Sequence, residues 1–351
     1  MRLLKFILPG LGLLFLGYLI GLLGPEEILH NFALMKWSFL LVLILALSWH
    51  ITNTIAWSFA FPPGAFRPQL RTLFMAKLAG EAVNQLTPLA NLGGEPLKAY
   101  LLKNQSPASL GLASVVVNKM AQVITGLFFT FAGLSLIILY WDLPRAIPLP
   151  IQIGMGLLAA VGGFIILVLY RKHKRLFSTI LNVLGRVGIP TGFIERRMAK
   201  AARIDDNIGR FYRDHTGRFI LVMLFHSMGW MLGACETFVI LNALHEHGSL
   251  DFDIAFLITS LTVIINSLFF FMPSNIGVME GGQAFLLFTL GLSPALGLSL
   301  GIVKRMRKIF WIMIGWLCLT YLSKGVLTTT NAESPYSQED DGVLHDRIHY
   351  R

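Results

Sequence analysis

A membrane-spanning helix needs about 20 consecutive, mostly apolar residues. This chain offers that run at 3–23, 37–61, 107–140, 149–170, 219–244 and 294–322. No soluble core needs so many such runs. Charged residues make up 14% of the chain and mean hydropathy is +0.66, against about 25% charged residues in an average soluble domain. The runs therefore predict an all-α, polytopic integral membrane protein. At 351 residues, one large membrane domain over 1–325 and a polar tail over 326–351 account for the length. The first run follows Arg2, includes Lys5 and is followed by no small-residue cleavage site, so it reads as a retained span.

The net charge is +10. The basic residues cluster beside the apolar runs, which is the distribution of cytoplasmic loops and not of a nucleic-acid surface. Twelve Lys and Arg lie between Arg171 and Arg218. That segment is expected to be cytoplasmic and to hold an interfacial amphipathic helix. The loop with Arg67 and Arg71 reads the same way. Loops carrying Glu26 and Glu27, Asp142, and Asp251 and Asp253 are poor in bases apart from Arg145, and are expected to face outward. Cys235 and Cys318 sit within apolar runs, so they read as small buried hydrophobes, with neither metal spacing nor a disulfide framework.

Two stretches break the apolar pattern, and they resemble each other. The first runs from Glu81 through Asn84, Pro88, Asn91, Gly93 and Gly94 to Glu95. The second runs from Asn266 through Pro273, Asn275 and Gly277 to Glu280, Gly281 and Gly282. In each, a polar residue stands seven positions before the proline and a glutamate seven after it. The likeness continues. Ser106-Pro107 leads to Val117-Asn118-Lys119-Met120, and Ser293-Pro294 leads to Val303-Lys304-Arg305-Met306. The offset stays near 186 residues with one small gap. Repeat units are thus expected at about 68–140 and 253–324, the duplication typical of transporter folds.

A proline removes a backbone donor and clashes with the preceding turn, and glycines let the chain reverse. The arms of the first unit, 70–86 and 96–102, are short for a span. Each unit is therefore expected to be a re-entrant helical hairpin broken at Pro88, Gly93 and Gly94 or at Pro273, Gly277, Gly281 and Gly282. Three spans between the hairpins put them on opposite faces. The expected topology is about six full spans, two inverted hairpins and both termini inside. The competing count makes every hairpin arm a full, tilted span.

Ionisable residues inside apolar segments are costly, so they pair with one another or face a cavity. Lys119 is twelve residues past Pro107 and Arg305 eleven past Pro294, about 18 and 16 Å into their helices. The candidate substrate-binding residues are Glu81, Asn84, Asn91, Glu95, Lys119, Asn266, Asn275, Glu280, Lys304, Arg305 and Arg307. Cations with glycine amides suit an anion, and the glutamates balance charge or take up protons. The competing reading is a structural ion-pair network. For Lys304–Lys308 a further alternative is an interfacial helix end with snorkelling side chains. His50, Asn53, Gln122, His226 and Glu236 read as interhelical hydrogen-bonding groups. His245 and His247 form no metal spacing. No P-loop and no HExxH occurs, and the string Gly297–Gly301 (GLSLG) lacks the strand-turn-helix setting of a nucleophile elbow. No cofactor, metal or catalytic residue is expected.

The combination Glu81-x-x-Asn84-x-Leu86-x-Pro88-x-Ala90-x-x-Gly93-Gly94-Glu95, with Pro273-x-x-Ile276-Gly277-Val278-x-Glu280-Gly281-Gly282 and Arg305-Met306-Arg307, resembles the lysylphosphatidylglycerol synthase transmembrane, or flippase-like, family. The pattern is most similar to the branch associated with hopanoid biosynthesis and covers about Leu3 to Lys324. The resemblance implies a multi-pass protein of the bacterial inner membrane that moves lipids between leaflets. In the synthases a soluble domain transfers the aminoacyl group. With 29 residues after the last span, that activity is not expected here. The sequence departs from the family pattern at Lys119, where relatives often carry another polar or charged residue. The expected function is translocation of a polar or anionic lipid by alternating access. The alternatives are a non-transporting scaffold of a lipid-modification pathway and an intramembrane lipid-modifying enzyme. Expected partners are the lipid substrate, the bilayer, and a lipid-biosynthesis protein or a second copy.

Overall fold

The computed structural model describes residues 33–64, 67–85, 93–140, 191–245, 249–268 and 277–328, with isolated positions at Glu26, His30, Gly156, 177–179, 181–182 and Asn275. The expected span at 3–23, the span at 149–170 apart from Gly156, Pro88, Asn91, Pro273, His247 and the tail beyond 328 lie outside the described residues.

Every element among the described residues is a helix. In chain order they are α1 (Ser38–Phe59), α2 (Leu70–Asn84), α3 (Glu95–Leu101), α4 (Ala108–Tyr140), α5 (Thr191–Asp214), α6 (Thr216–Leu244), α7 (Phe252–Leu268), α8 (Val278–Thr289) and α9 (Pro294–Thr328). Of these, α1, residues 108–136 of α4, and α6 are long and apolar enough to cross a bilayer, and 252–267 is a shorter apolar helix. Large apolar side chains point outward: Trp37 is 85% exposed, Leu317 69% and Phe128 66%. In water such faces would drive association; in lipid they are solvated. The hydroxyls of Ser48, Thr52, Thr54 and Ser58 bond back to carbonyls three or four residues earlier, so these hydroxyls are satisfied within α1, as a bilayer requires.

The duplicated sequence produces a duplicated path. Helix α2, a break, short α3 and long α4 are matched by α7, a break, short α8 and long α9. Helix α3 packs on α4, and α8 on α9; α2 packs on α9, and α7 on α4. Each unit's first helix thus lies against the long helix of the other unit. α1 and α6 pack on each other, and α6 also contacts α4, α7 and α9.

Small residues make these approaches possible. A Cβ on Gly315 of α9 would press on the Leu78 carbonyl and stand 2.8 Å from Ala82 Cβ of α2. A Cβ on Gly133 of α4 would collide with the Ser260 side chain of α7. Gly297 and Gly301 approach α8 so closely that a Cβ would lie 2.5 Å from Ala284 Cα and 2.9 Å from Glu280 Cα. The GLSLG string is a helix contact.

α5 is the amphipathic helix of the basic segment. Ala201, Ile204, Ile208 and Phe211 are buried at the spacing of one helical face. Asp205, on the same side, accepts the Phe177 and Ser178 amides at 2.8 and 2.9 Å.

Gly281 and Gly282 do not belong to the second break. Asn275 and Gly277 have positive φ, 50° and 77°, and the chain turns there. Gly281 and Gly282 lie inside α8. A Cβ on Gly281 would meet nothing within 4 Å, whereas one on Gly282 would stand 2.9 Å from Ile265.

Candidate substrate cavity

The polar side chains gather where the two units are broken. On α2, Lys77, Glu81 and Asn84 follow each other by four and three residues and so share a face. Lys77 Nζ lies 2.6 Å from Glu81 Oε1 and 4.4 Å above the Trp49 ring. His50 of α1 places Nδ1 3.3 Å from Glu81 Oε2 and 3.0 Å from Lys77 Nζ. Asn84 ties the end of α2 to the start of α3: its Oδ1 accepts the Gly94 amide at 2.5 Å, and its Nδ2 donates to Glu95 Oε1 at 3.4 Å. A side chain on Gly94 would collide with the Gly80 carbonyl, so glycine is required there. Pro96 follows at the opening of α3, where its missing N–H costs nothing. Glu95 then receives Lys98 Nζ at 2.9 Å and faces Lys119 Nζ of α4 at 3.9 Å.

The second unit repeats the theme with different groups. Arg305 Nε of α9 donates to Glu280 Oε1, and its guanidinium also reaches the Asn275 carbonyl at 3.4 Å. Glu280 Oε2 accepts the Gly277 amide at 3.0 Å. Asn275 Nδ2 donates to Asn266 Oδ1 at 2.7 Å, tying the end of α7 to its break as Asn84 does in the first unit. The pairs Glu95–Lys119 and Glu280–Arg305 occupy matching positions of the sequence repeat. Beside them, Arg307 donates to Glu236 Oε2 of α6 at 2.6 Å.

Both clusters open on one cavity of about 350 Å³. Of the candidate residues, Glu81, Asn84, Glu95 and Lys119 line it from the first unit. Asn266, Asn275, Glu280, Lys304, Arg305 and Arg307 line it from the second. Asn91 lies outside the described residues, and Gly93, Gly94, Gly277, Gly281 and Gly282 are not among the lining residues.

Lys77, Lys98 and Trp311 escaped the sequence reading: Lys98 and Trp311 line the cavity, as do Lys308, His50 and Gln122, and Lys77 pairs with Glu81, which does. Glu236 makes an interhelical contact, as expected of it, with Arg307. Lys77 and Lys98 had a legible signal, since they stand four before Glu81 and three after Glu95, ion-pair spacing on a helix. His226 bonds to Asn118 at 2.9 Å, the interhelical contact expected of it. Asn53 instead bonds within its own helix, to the Trp49 carbonyl.

The lining is basic. Six cations and three acids border the cavity; adding Lys77 and Glu236 keeps the difference at three. Lys304 makes no ion pair among the described residues. Buried Arg307 Nε and Trp311 Nε1 have no hydrogen-bond partner there either. Such a site offers donors and positive charge to an anionic oxygen. No cluster of three or more metal-binding side chains occurs among the described residues.

Apolar spans and ionisable side chains gathered at one cavity mark a helical integral membrane protein. The chain belongs to the family described as the lysylphosphatidylglycerol synthase TM region, which matches residues 6–315. It is similar to two proteins of Methanothermobacter thermautotrophicus, each described as a UPF0104 membrane protein. One is 26% identical over 334 residues, covering 91% of this chain and 96% of the relative. The other is 26% identical over 277 residues, covering 73% and 74%. Those descriptions speak of a membrane and name neither a lipid nor a reaction. No solved structure matches the chain.

Proposed function

We propose that this protein moves a lipid with an anionic headgroup between leaflets, with α2–α4 and α7–α9 rocking about the central cavity. The observation that carries the reading is the sharing of one net-positive cavity by two repeated Glu–base pairs, Glu95 with Lys119 and Glu280 with Arg305. A structural network needs charges that cancel; this one leaves cations over. In the proposed cycle the breaks enter the bilayer from opposite faces as re-entrant hairpins. The headgroup draws a base away from its glutamate, and the tails stay in lipid beside α4 and α9. The basic segment around α5 faces the cytoplasm of a bacterial inner membrane, and both termini lie on that side. The family's membership supports a lipid setting, and no chemistry on the lipid is proposed.

The test is reconstitution of the full chain in vesicles of phosphatidylcholine carrying fluorescent phosphatidylglycerol or phosphatidic acid. Dithionite then bleaches only outer-leaflet probe. Wild type is expected to expose inner-leaflet probe; Glu95→Gln and Glu280→Gln are expected to slow this about tenfold or more, a barrier change of only about 1.4 kcal/mol. Wild-type protein that is folded yet leaves both probes where they started would overturn the reading. Full translocation by both variants would remove the glutamates from it.

A further inference from the structure

One acid–base pair beside the cavity joins a repeat unit to a helix outside the repeat. Glu236 sits on α6, and Arg307 reaches it from α9, with Nη1 2.6 Å from Oε2. The carboxylate is shut away from the cavity: its side chain is 5% exposed, and it is not among the lining residues. The guanidinium in front of it is 23% exposed and lines the cavity. A ligand therefore meets Arg307 and not Glu236.

The pair is incomplete. An arginine and a carboxylate matched edge to edge make two parallel bonds. Here one forms, and Glu236 Oε1 and Arg307 Nε are both buried without a hydrogen-bond partner. Among the described residues, Oε1 is the one carboxylate oxygen in that condition. Glu81 has both oxygens engaged, by Lys77 and His50, and so has Glu280, by Arg305 and the Gly277 amide. An idle buried donor and acceptor cost stability, so a ligand oxygen has less to displace at Glu236 than at Glu280. The exchange does not strand the carboxylate either. Lys304 precedes Arg307 by three residues on the same face of α9, lines the cavity and lies within the field of Glu236.

The pair also spans a joint. α9 belongs to the second unit, while α6 lies outside both units and packs on α1. Among the described residues, Glu236–Arg307 is the one ion pair between α6 and either unit.

We infer that Glu236 is a tethered anion that holds Arg307, and with it the second unit, until an anionic oxygen of the ligand takes the guanidinium in its place. Glu236 is thus a positioning residue. It acts on the ligand through Arg307, and occupancy of the cavity releases the tie between α9 and α6. The inference rests on the translocation reading in taking the cavity as the ligand's site.

The experiment measures equilibrium binding to the full chain in neutral nanodiscs. Its two probes share a phosphate group: dioleoyl phosphatidic acid in the disc and inorganic phosphate in solution. Glu236→Gln keeps the shape and removes the charge. Glu236→Asp keeps the charge and draws the carboxylate back by one methylene. Both loosen the hold on Arg307, and both are expected to raise affinity for phosphatidic acid about tenfold, the scale of one charge-assisted hydrogen bond. Asp253→Asn, which removes an acid from the exposed start of α7, is expected to change nothing. The charge swap of Glu236→Arg with Arg307→Glu is expected to keep the melting temperature and lose the binding, because the cavity wall then presents an acid.

A gain in Glu236→Gln that Glu236→Asp does not share would be a field effect and would overturn the inference. Wild-type affinity in both variants, no binding of either probe by Glu236→Gln, or a charge swap that restores binding along with stability would overturn it too. An equal gain for inorganic phosphate would support the exchange at Arg307 and remove the lipid from the ligand. The gain without translocation by wild type would leave this inference standing and sink the proposed function. Translocation with no such gain would do the reverse.

Discussion

The two units are similar in sequence yet hold their glutamates differently. In α7–α9, Glu280 is held by one guanidinium that is only 4% exposed, and the second carboxylate oxygen is taken by the Gly277 amide. In α2–α4, Glu95 is divided among Lys98, Asn84 and a more distant Lys119 that is 32% exposed. The residue seven before each proline differs as well: Glu81 forms an ion pair with Lys77, while Asn266 makes a neutral amide contact. A shared arrangement of acid facing base thus carries one tight pole and one loose pole. Two flexible lysines suit a carboxylate that must change partners, whereas a planar arginine fork suits one that must stay fixed.

The sharpest way to break this contrast is to remove the tight base. Arg305→Met leaves Glu280 buried without its cation, and such losses cost about 3–5 kcal/mol. Thermal unfolding in detergent should show the full drop. Glu280→Gln added to Arg305→Met should recover most of it, because a neutral amide no longer needs a cation. If Arg305→Met unfolds like wild type, the pole is not tight.

A second contrast separates the two breaks by backbone. Gly94→Ala pushes a methyl group onto the Gly80 carbonyl and within 2.9 Å of Asn84 Oδ1. Backbone cannot yield cheaply, and overpacking of this kind costs about 2–3 kcal/mol. Gly281→Ala adds a methyl group in open space within α8, where alanine is the better helix former by up to about 1 kcal/mol. Melting temperatures of the two variants should therefore move in opposite directions. Destabilisation by Gly281→Ala would show that this glycine serves a motion instead of a fit.

Much of this was open to reading in the sequence because it depends on local rules. Run length gave the spans around α1, α4 and α6, and the proline and glycine breaks gave the ends of α2 and α8. The spacing of Glu95 and Glu280 about the two prolines gave the repeat. What stayed hidden depends on packing between distant elements. Nothing near Glu236 in sequence marks Arg307 as its partner, 71 residues away, and nothing near His50 points to Glu81. The glycine-rich second break misled for a related reason. Gly281 and Gly282 look like chain-reversal residues, yet the turn is complete at Gly277, and Gly282 is small because Ile265 of the neighbouring helix lies against it.

The smallest expected effect tests the loose pole itself. Lys119 stands 3.9 Å from Glu95, beyond hydrogen-bond reach, and its side chain is 32% exposed. With Lys98 at 2.9 Å and Asn84 still in place, Lys119→Met leaves the carboxylate served. A long, partly solvated ion pair contributes under about 1 kcal/mol, so the melting temperature should barely move, while Arg305→Met at the matching position moves it strongly. Equal losses from the two substitutions would mean that the poles are alike and that Glu95 depends on Lys119 as Glu280 depends on Arg305. A negligible loss would mean that Lys119 is not needed to hold the fold, leaving its charge available to a ligand in the cavity.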